Sequence, residues 1–134
     1  MKILIIEDDA LIAHQIKECV QKLGHEVLGS FDDASSGLDL VQNTRPDFVF
    51  MDIELNGSMD GIQCAGILKH KYDVPSIFVT SHDEAETIKE ATDLGPLNFL
   101  PKPFTDKNID NMLISCLMSN INLTMPLILC LLPN

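Results

Sequence analysis

Phe48-Val49-Phe50-Met51-Asp52 is an unbroken apolar run that ends on a single carboxylate. Three other stretches repeat its plan. Lys2-Ile3-Leu4-Ile5-Ile6 runs into the acidic cluster Glu7-Asp8-Asp9, Pro75-Ser76-Ile77-Phe78-Val79 into Thr80, and Phe99-Leu100-Pro101 into Lys102. Short solid apolar runs separated by helical patterns read as parallel strands with helices on both faces of the sheet. If these strands lie in one sheet, the carboxylates, hydroxyl and ammonium emerge together along its carboxyl edge, where open α/β sheets bind ligands. That mixture of groups suits a divalent cation and a phosphoryl group.

Between these runs the pattern predicts five β-α units and no repeat at solenoid periods. Strands are expected over roughly residues 2–7, 26–31, 47–52, 76–80 and 97–100. The first helix carries Leu11, Ile12, Ile16, Cys19, Val20 and Leu23 at helical spacing and ends near Gly24, with Asp9 as its cap. The second, over roughly 34–43, is weaker in pattern. Residues 53–61 read as a loop with an Asn56-Gly57 turn signal, before a third helix with Ile62, Ala65, Ile67 and Leu68. The fourth is expected to start near Asp83-Glu84 and to stop at Gly95-Pro96, and the fifth to begin after a Thr105 cap and run to about Asn120.

The 134 residues suit one domain and leave no room for a second catalytic or DNA-binding one. Twenty acidic side chains against 9 basic ones, a net charge of −11, have the wrong sign for neutralising phosphates, which argues against direct nucleic-acid binding. Cys19, Cys64, Cys116 and Cys130 are widely spaced and form no Cys-x-x-Cys pair. The first three fall in helical patterns and read as small hydrophobes, in a reduced, cytoplasmic protein. The amino terminus lacks the pattern of a signal peptide. Residues 111–134 carry no charge, and Leu127-Ile128-Leu129-Cys130-Leu131-Leu132 is strongly apolar. Asn120, Asn122, Pro126 and Pro133 interrupt the segment as a membrane span. Residues 1–120 are therefore taken as the domain and 121–134 as an apolar tail that covers its own domain or meets a partner, in a chain that suits a portion of a longer protein.

Glu7 and Asp8, Asp52, Thr80 and Lys102 occur in the order, and at the strand ends, of the response-regulator receiver domains of two-component signalling, and residues 1–118 resemble that family. The resemblance implies a single doubly wound, flavodoxin-like parallel sheet of five strands in the order 2-1-3-4-5, with five helices. It makes Asp52 the phosphoacceptor, Thr80 and Lys102 the groups that contact the phosphoryl, Phe99 the aromatic switch position, and Lys102-Pro103 a cis peptide. It also implies a histidine kinase as phosphodonor and output through a protein surface formed by helix 4, strand 5 and helix 5, a homodimer or downstream-partner contact.

Carboxylates crowded at one sheet edge repel one another unless a cation sits among them, and Mg²⁺ accepts a few carboxylate oxygens while keeping waters. Asp8 and Asp52 are the expected direct ligands, Glu7 acts through water, and Glu54 offers its main-chain carbonyl by family analogy. An aspartate is also a nucleophile toward phosphorus.

Blander roles compete at each position. Asp52 could cap the third helix, Thr80 could be an ordinary β-branched strand residue, and Phe99 could simply be core. His14, His25, His70 and His82 are scattered and suggest no ligand set, although His82 could tune water access near Thr80. Two other classes stand as rivals. The run ending Asp52-Ile53-Glu54 resembles the Asp-x-Asp motif of haloacid-dehalogenase-type Mg²⁺-dependent phosphatases, with Glu54 in place of the second Asp. A nucleotide or flavin module would need a Gly-rich or Ser/Thr-rich loop after the first strand, where this chain has acids.

Overall fold

The computed structural model describes residues 1–81 and 85–124. Its five strands are β1 (Lys2–Ile6), β2 (Glu26–Phe31), β3 (Phe48–Asp52), β4 (Ser76–Thr80) and β5 (Asn98–Pro101). The helices are α1 (Ala10–Lys22), α2 (Ala34–Val41), α3 (Gly61–Tyr72), α4 (Ala85–Asp93) and α5 (Asp106–Thr124). All neighbouring strands pair in parallel, in the order β2-β1-β3-β4-β5. The expected doubly wound, flavodoxin-like sheet is therefore present.

The solid apolar runs are explained by what lies on each side of the sheet. Successive strand side chains point to opposite faces. Ile3, Ile5, Phe48, Phe50, Ile77 and Val79 pack with Ile16 and Val20 of α1 and Ile109 and Leu113 of α5. Leu4, Ile6, Val49, Met51 and Phe78 pack on the other face with Val41 of α2, Cys64, Ala65 and Leu68 of α3 and Ala91 of α4. A strand buried on both faces has no polar alternation to show. At the edges the burial falls away, with β2 only partly covered and Asn98 and Pro101 of β5 exposed.

Helix ends follow local chemistry. Asp9 Oδ1 accepts from the Leu11 and Ile12 amides at 3.0 and 3.3 Å, so Asp9 caps α1 as expected. Gly24, at φ +86°, ends that helix in a left-handed conformation that suits glycine. Asp60, not Asp52, caps α3, in a reciprocal box with Gln63. Thr105 caps α5 and exchanges bonds with Asn108. That helix is described as far as Thr124, beyond the expected end near Asn120, and no glycine or proline interrupts 106–124. β5 lies one residue later than expected, which leaves Leu97 before the strand and 46% exposed. The expected α4 start at Asp83-Glu84, His82, and residues 125–134 of the tail lie outside the described residues.

Gly61 opens α3 against the backbone of β3. A Cβ built there would lie 1.8 Å from the Asp52 carbonyl oxygen, whereas one at Gly66 would meet nothing closer than Leu94 Cδ2 at 3.9 Å. Backbone cannot swing away as a side-chain tip can. Gly61→Ala should therefore destabilise by about 1–3 kcal/mol. Gly66→Ala, inside the same helix with room for a methyl, should be neutral or stabilising by up to about 1 kcal/mol. Urea unfolding of the two variants checks this contrast.

Candidate functional site

Winding to β2 on one side of β1 and to β3 on the other opens a crevice at the carboxyl ends of β1 and β3. Glu7 follows β1 directly, and its amide continues the ladder by donating to the Phe31 carbonyl at 2.9 Å. Asp52 is the last residue of β3. Oxygens from Glu7, Asp8 and Asp52 lie within 4.8 Å of one another. Glu7 and Asp52 are each 2% exposed. Burying two acids side by side is costly without partners.

Partners are supplied from the neighbouring strand ends. Lys102 follows β5, where its amide donates to the Thr80 carbonyl at 2.7 Å, and its Nζ lies 3.0 Å from Glu7 Oε1 and 3.8 Å from Asp52 Oδ1. Asp52 Oδ1 also accepts from the Glu54 amide at 3.0 Å, and Glu7 Oε2 from the Asp9 amide at 3.0 Å. Thr80 closes β4 beside them, buried at the same edge. The Lys102-Pro103 peptide is cis.

The electrostatics follow from this crowding. Burial pushes the Asp52 carboxyl up to about 8, aided by the adjoining Glu7 and opposed by the Glu54 amide and Lys102. Burial would lower the Lys102 ammonium, but Glu7, Asp52 and Asp8 outweigh it and hold it above the ordinary lysine value. One ammonium thus faces three carboxylates, all of them hard oxygen donors. That donor set fits Mg²⁺.

The structure brings together Glu7, Asp8, Asp52, Thr80 and Lys102, five of the residues singled out in the sequence. Phe99 stands apart from them. It is half-buried on the α4 side, its ring centroid 5.8 Å from that of Phe78. The Glu54 side chain is exposed, with Oε2 3.4 Å from Ser81 Oγ. His14 pairs with Glu18 on the surface and His25 with the amino terminus, both outside the carboxylate group. Cys19, Cys64 and Cys116 are free thiols; burial pushes Cys19 up to about 11 and Cys64 up to about 12, which keeps them protonated and inert. Asn56 was legible only as a turn residue. Its Nδ2 donates to Asp8 Oδ2 at 2.9 Å, a contact between residues 48 apart in sequence.

A model of the response regulator receiver domain matches residues 3–114. The transcriptional regulatory protein PdtaR of Mycobacterium tuberculosis is 31% identical over 104 residues, which cover 78% of this chain and 50% of that protein. The sensory transduction protein LytT of Bacillus cereus is 30% identical over 111 residues, 81% of this chain and 44% of LytT. The chain spans about half the length of these curated relatives. Among solved structures, the signal receiver domain of a modulated diguanylate cyclase from Desulfovibrio desulfuricans superposes with a TM-score of 0.81 at 30% identity, covering 88% of this chain and 94% of that one. The receiver domain of NtrX from Brucella abortus gives 0.79 at 28% identity, with 87% and 98% covered. Fold, strand order and matched sequence agree, and the chain belongs to the response regulator receiver domain family.

Proposed function

We propose that this receiver domain is a phospho-accepting switch: Asp52 takes a phosphoryl group from a histidine kinase, and the changed state is read by a protein partner. The observation that carries the reading is the placement of Asp52, buried at the end of the central strand with Lys102 Nζ 3.8 Å from its Oδ1 and two further carboxylates beside it. In the transfer, an Asp52 carboxylate oxygen forms a bond to phosphorus as the bond from phosphorus to the donor imidazole breaks, and the electron pair leaves with the imidazole. Lys102 neutralises charge on the transferred oxygens, and the Thr80 hydroxyl, two strands from β1 at the same edge, hydrogen-bonds the phosphoryl group.

Receiver domains bind Mg²⁺ at an acidic pocket, and here Asp8 and Asp52 would hold it directly, the Glu54 carbonyl would complete the protein ligands, and Glu7 would act through water. When bound, the cation supplies positive charge to the oxygens of the phosphoryl group. Output is assigned to the α4-β5-α5 face, which includes Phe99 and where Leu97 is 46% exposed. Apolar exposure of this kind suits a second copy of the chain or a downstream partner. The strongly acidic charge argues against nucleic acid as the direct target. Among the described residues no helix is long and apolar enough to cross a membrane, and we place the module in the cytoplasm, beside its kinase.

The haloacid-dehalogenase-type phosphatase reading finds no support in the family model or in the relatives above. Glu54, which stands where that motif has its second Asp, directs its carboxylate to within 3.4 Å of Ser81 Oγ.

Asp52→Asn keeps the shape and removes the nucleophile, so incubation with a small acyl phosphate and Mg²⁺ should add one phosphoryl group to the wild-type chain and none to the variant by intact mass. Equal uptake by the variant sinks the assignment. Asp8→Ala should weaken Mg²⁺ binding at least tenfold, about 1.4 kcal/mol, in a direct titration.

Asp52 also sets a pH dependence. Its native pKa stands near 8, above its ordinary 3.8, so the native state keeps a proton that the unfolded chain has lost across that interval. Stability of the metal-free protein should then fall as pH rises from about 5 to 8. Mg²⁺ should restore more stability at pH 8 than at pH 5, because about half of the Asp52 proton that it displaces is already lost there. Thermal unfolding of wild type and Asp52→Asn, with and without Mg²⁺, checks this; the variant should lose this part of the slope.

A further inference from the structure

Asn56 stands exposed on the loop between β3 and α3, with the buried Leu55 before it and Gly57, at φ +113°, after it. Its Nδ2 donates to Asp8 Oδ2 at 2.9 Å, the one hydrogen bond of the Asp8 side chain among the described residues. The other two acids of the carboxyl edge are held by different groups: Glu7 by the Asp9 amide and Lys102, Asp52 by the Glu54 amide and Lys102. Asp8 lies half-buried in the turn between β1 and α1. Its orientation therefore rests on a residue 48 positions away.

The loop that carries Asn56 is itself tied down. The Gly61 amide donates to the Ile53 carbonyl at 3.1 Å and closes its base. Further out, the Glu54 amide donates to Asp52 Oδ1 at 3.0 Å, and Asn56 then reaches Asp8. The Glu54 carbonyl lies in the chain between these last two bonds. One loop thus contacts both acids assigned as direct Mg²⁺ ligands and carries the main-chain carbonyl assigned beside them.

The chemistry of the donor matters as much as its place. A carboxylate offers two oxygens and about four lone-pair sites, so one amide N–H leaves most of Asp8 open. The amide is neutral and leaves the negative charge of Asp8 intact, whereas a lysine or arginine there would cancel the charge that draws a cation. Mg²⁺ demands near-ideal octahedral geometry, while Ca²⁺ accepts irregular coordination. A ligand held in one orientation favours the stricter ion, and hydrogen-bond partners of ligating side chains are typically worth 10–100-fold in metal affinity.

We propose that Asn56 is a positioning residue for the cation site, which orients Asp8 through its side-chain amide and thereby sets both the affinity for Mg²⁺ and the preference for Mg²⁺ over Ca²⁺. The inference rests on the reading of Asp8 as a direct ligand and deepens it.

Mg²⁺ and Ca²⁺ are titrated separately into the full, unphosphorylated chain while backbone amide signals are followed, for wild type, Asn56→Ala, Asp8→Ala and the double variant. Asn56→Ala should weaken Mg²⁺ about tenfold and Ca²⁺ by less than about threefold. Once Asp8 is gone the effect should vanish, so that Asp8→Ala and the double variant bind Mg²⁺ equally. The urea midpoint of metal-free Asn56→Ala should match that of wild type, because the side chain is exposed. A role confined to holding the loop would lower the midpoint and weaken both ions alike. The proposal is overturned if Asn56→Ala binds Mg²⁺ as tightly as wild type or more tightly, if both ions weaken by the same factor, or if Asn56→Ala costs as much affinity without Asp8 as with it. Should Asp8→Ala itself bind Mg²⁺ like wild type, the ligand assignment fails and the positioning role falls with it; the single variant that leaves Mg²⁺ binding unchanged tells the two failures apart.

Discussion

Everything at the carboxyl edge depends on the burial of Glu7 and Asp52 side by side, with one ammonium, Lys102, to answer them. Two acids in a nearly dry crevice cannot both ionise cheaply. The fold answers with fixed donors, the Glu54 amide on Asp52 and the Asp9 amide on Glu7, and with a lysine held in place by the next strand. The positive charge still falls short of the negative. This excess of carboxylates over ammonium is what the proposed cation would answer.

Behind this edge the domain is solidly packed, because helices cover the sheet on both faces. The strand residues behind the edge, Ile3 to Ile6, Phe48 to Met51 and Ile77 to Val79, are at most 1% exposed. Close-packed interiors transmit displacement rather than absorb it. Gly61 shows how little slack there is beside Asp52, since even a methyl group would overlap the main chain. A change at Asp52 therefore has firm neighbours in β4 and β5 to push against, and Phe78 on Phe99 links those strands on the α4 side.

The two ends of β4 carry different polar chemistry on one face. Thr80 sits at the charged edge, where carboxylates and lysine converge, and Ser76 at the opposite edge, under an apolar cavity. The hydrophobic residue between them, Phe78, is completely buried.

The element order, the parallel sheet and the five residues that meet at the carboxyl edge were legible along the chain. Each signal is local: a solid apolar run for a doubly covered strand, and a polar residue at its last position for the ligand edge. Caps that rest on near neighbours, Asp9 and Thr105, were equally legible. The tertiary structure alone decided which groups meet across long separations. Asn56 reaches Asp8, Lys102 chooses Glu7 at 3.0 Å over Asp52 at 3.8 Å, and Gly61 presses on the Asp52 carbonyl. It also decided that Asp60 caps α3 and that the Ser76 hydroxyl is buried without a partner among the described residues. Such facts depend on strand register, helix placement and the space left between layers, and no pattern along the chain encodes distances between residues that only folding brings together.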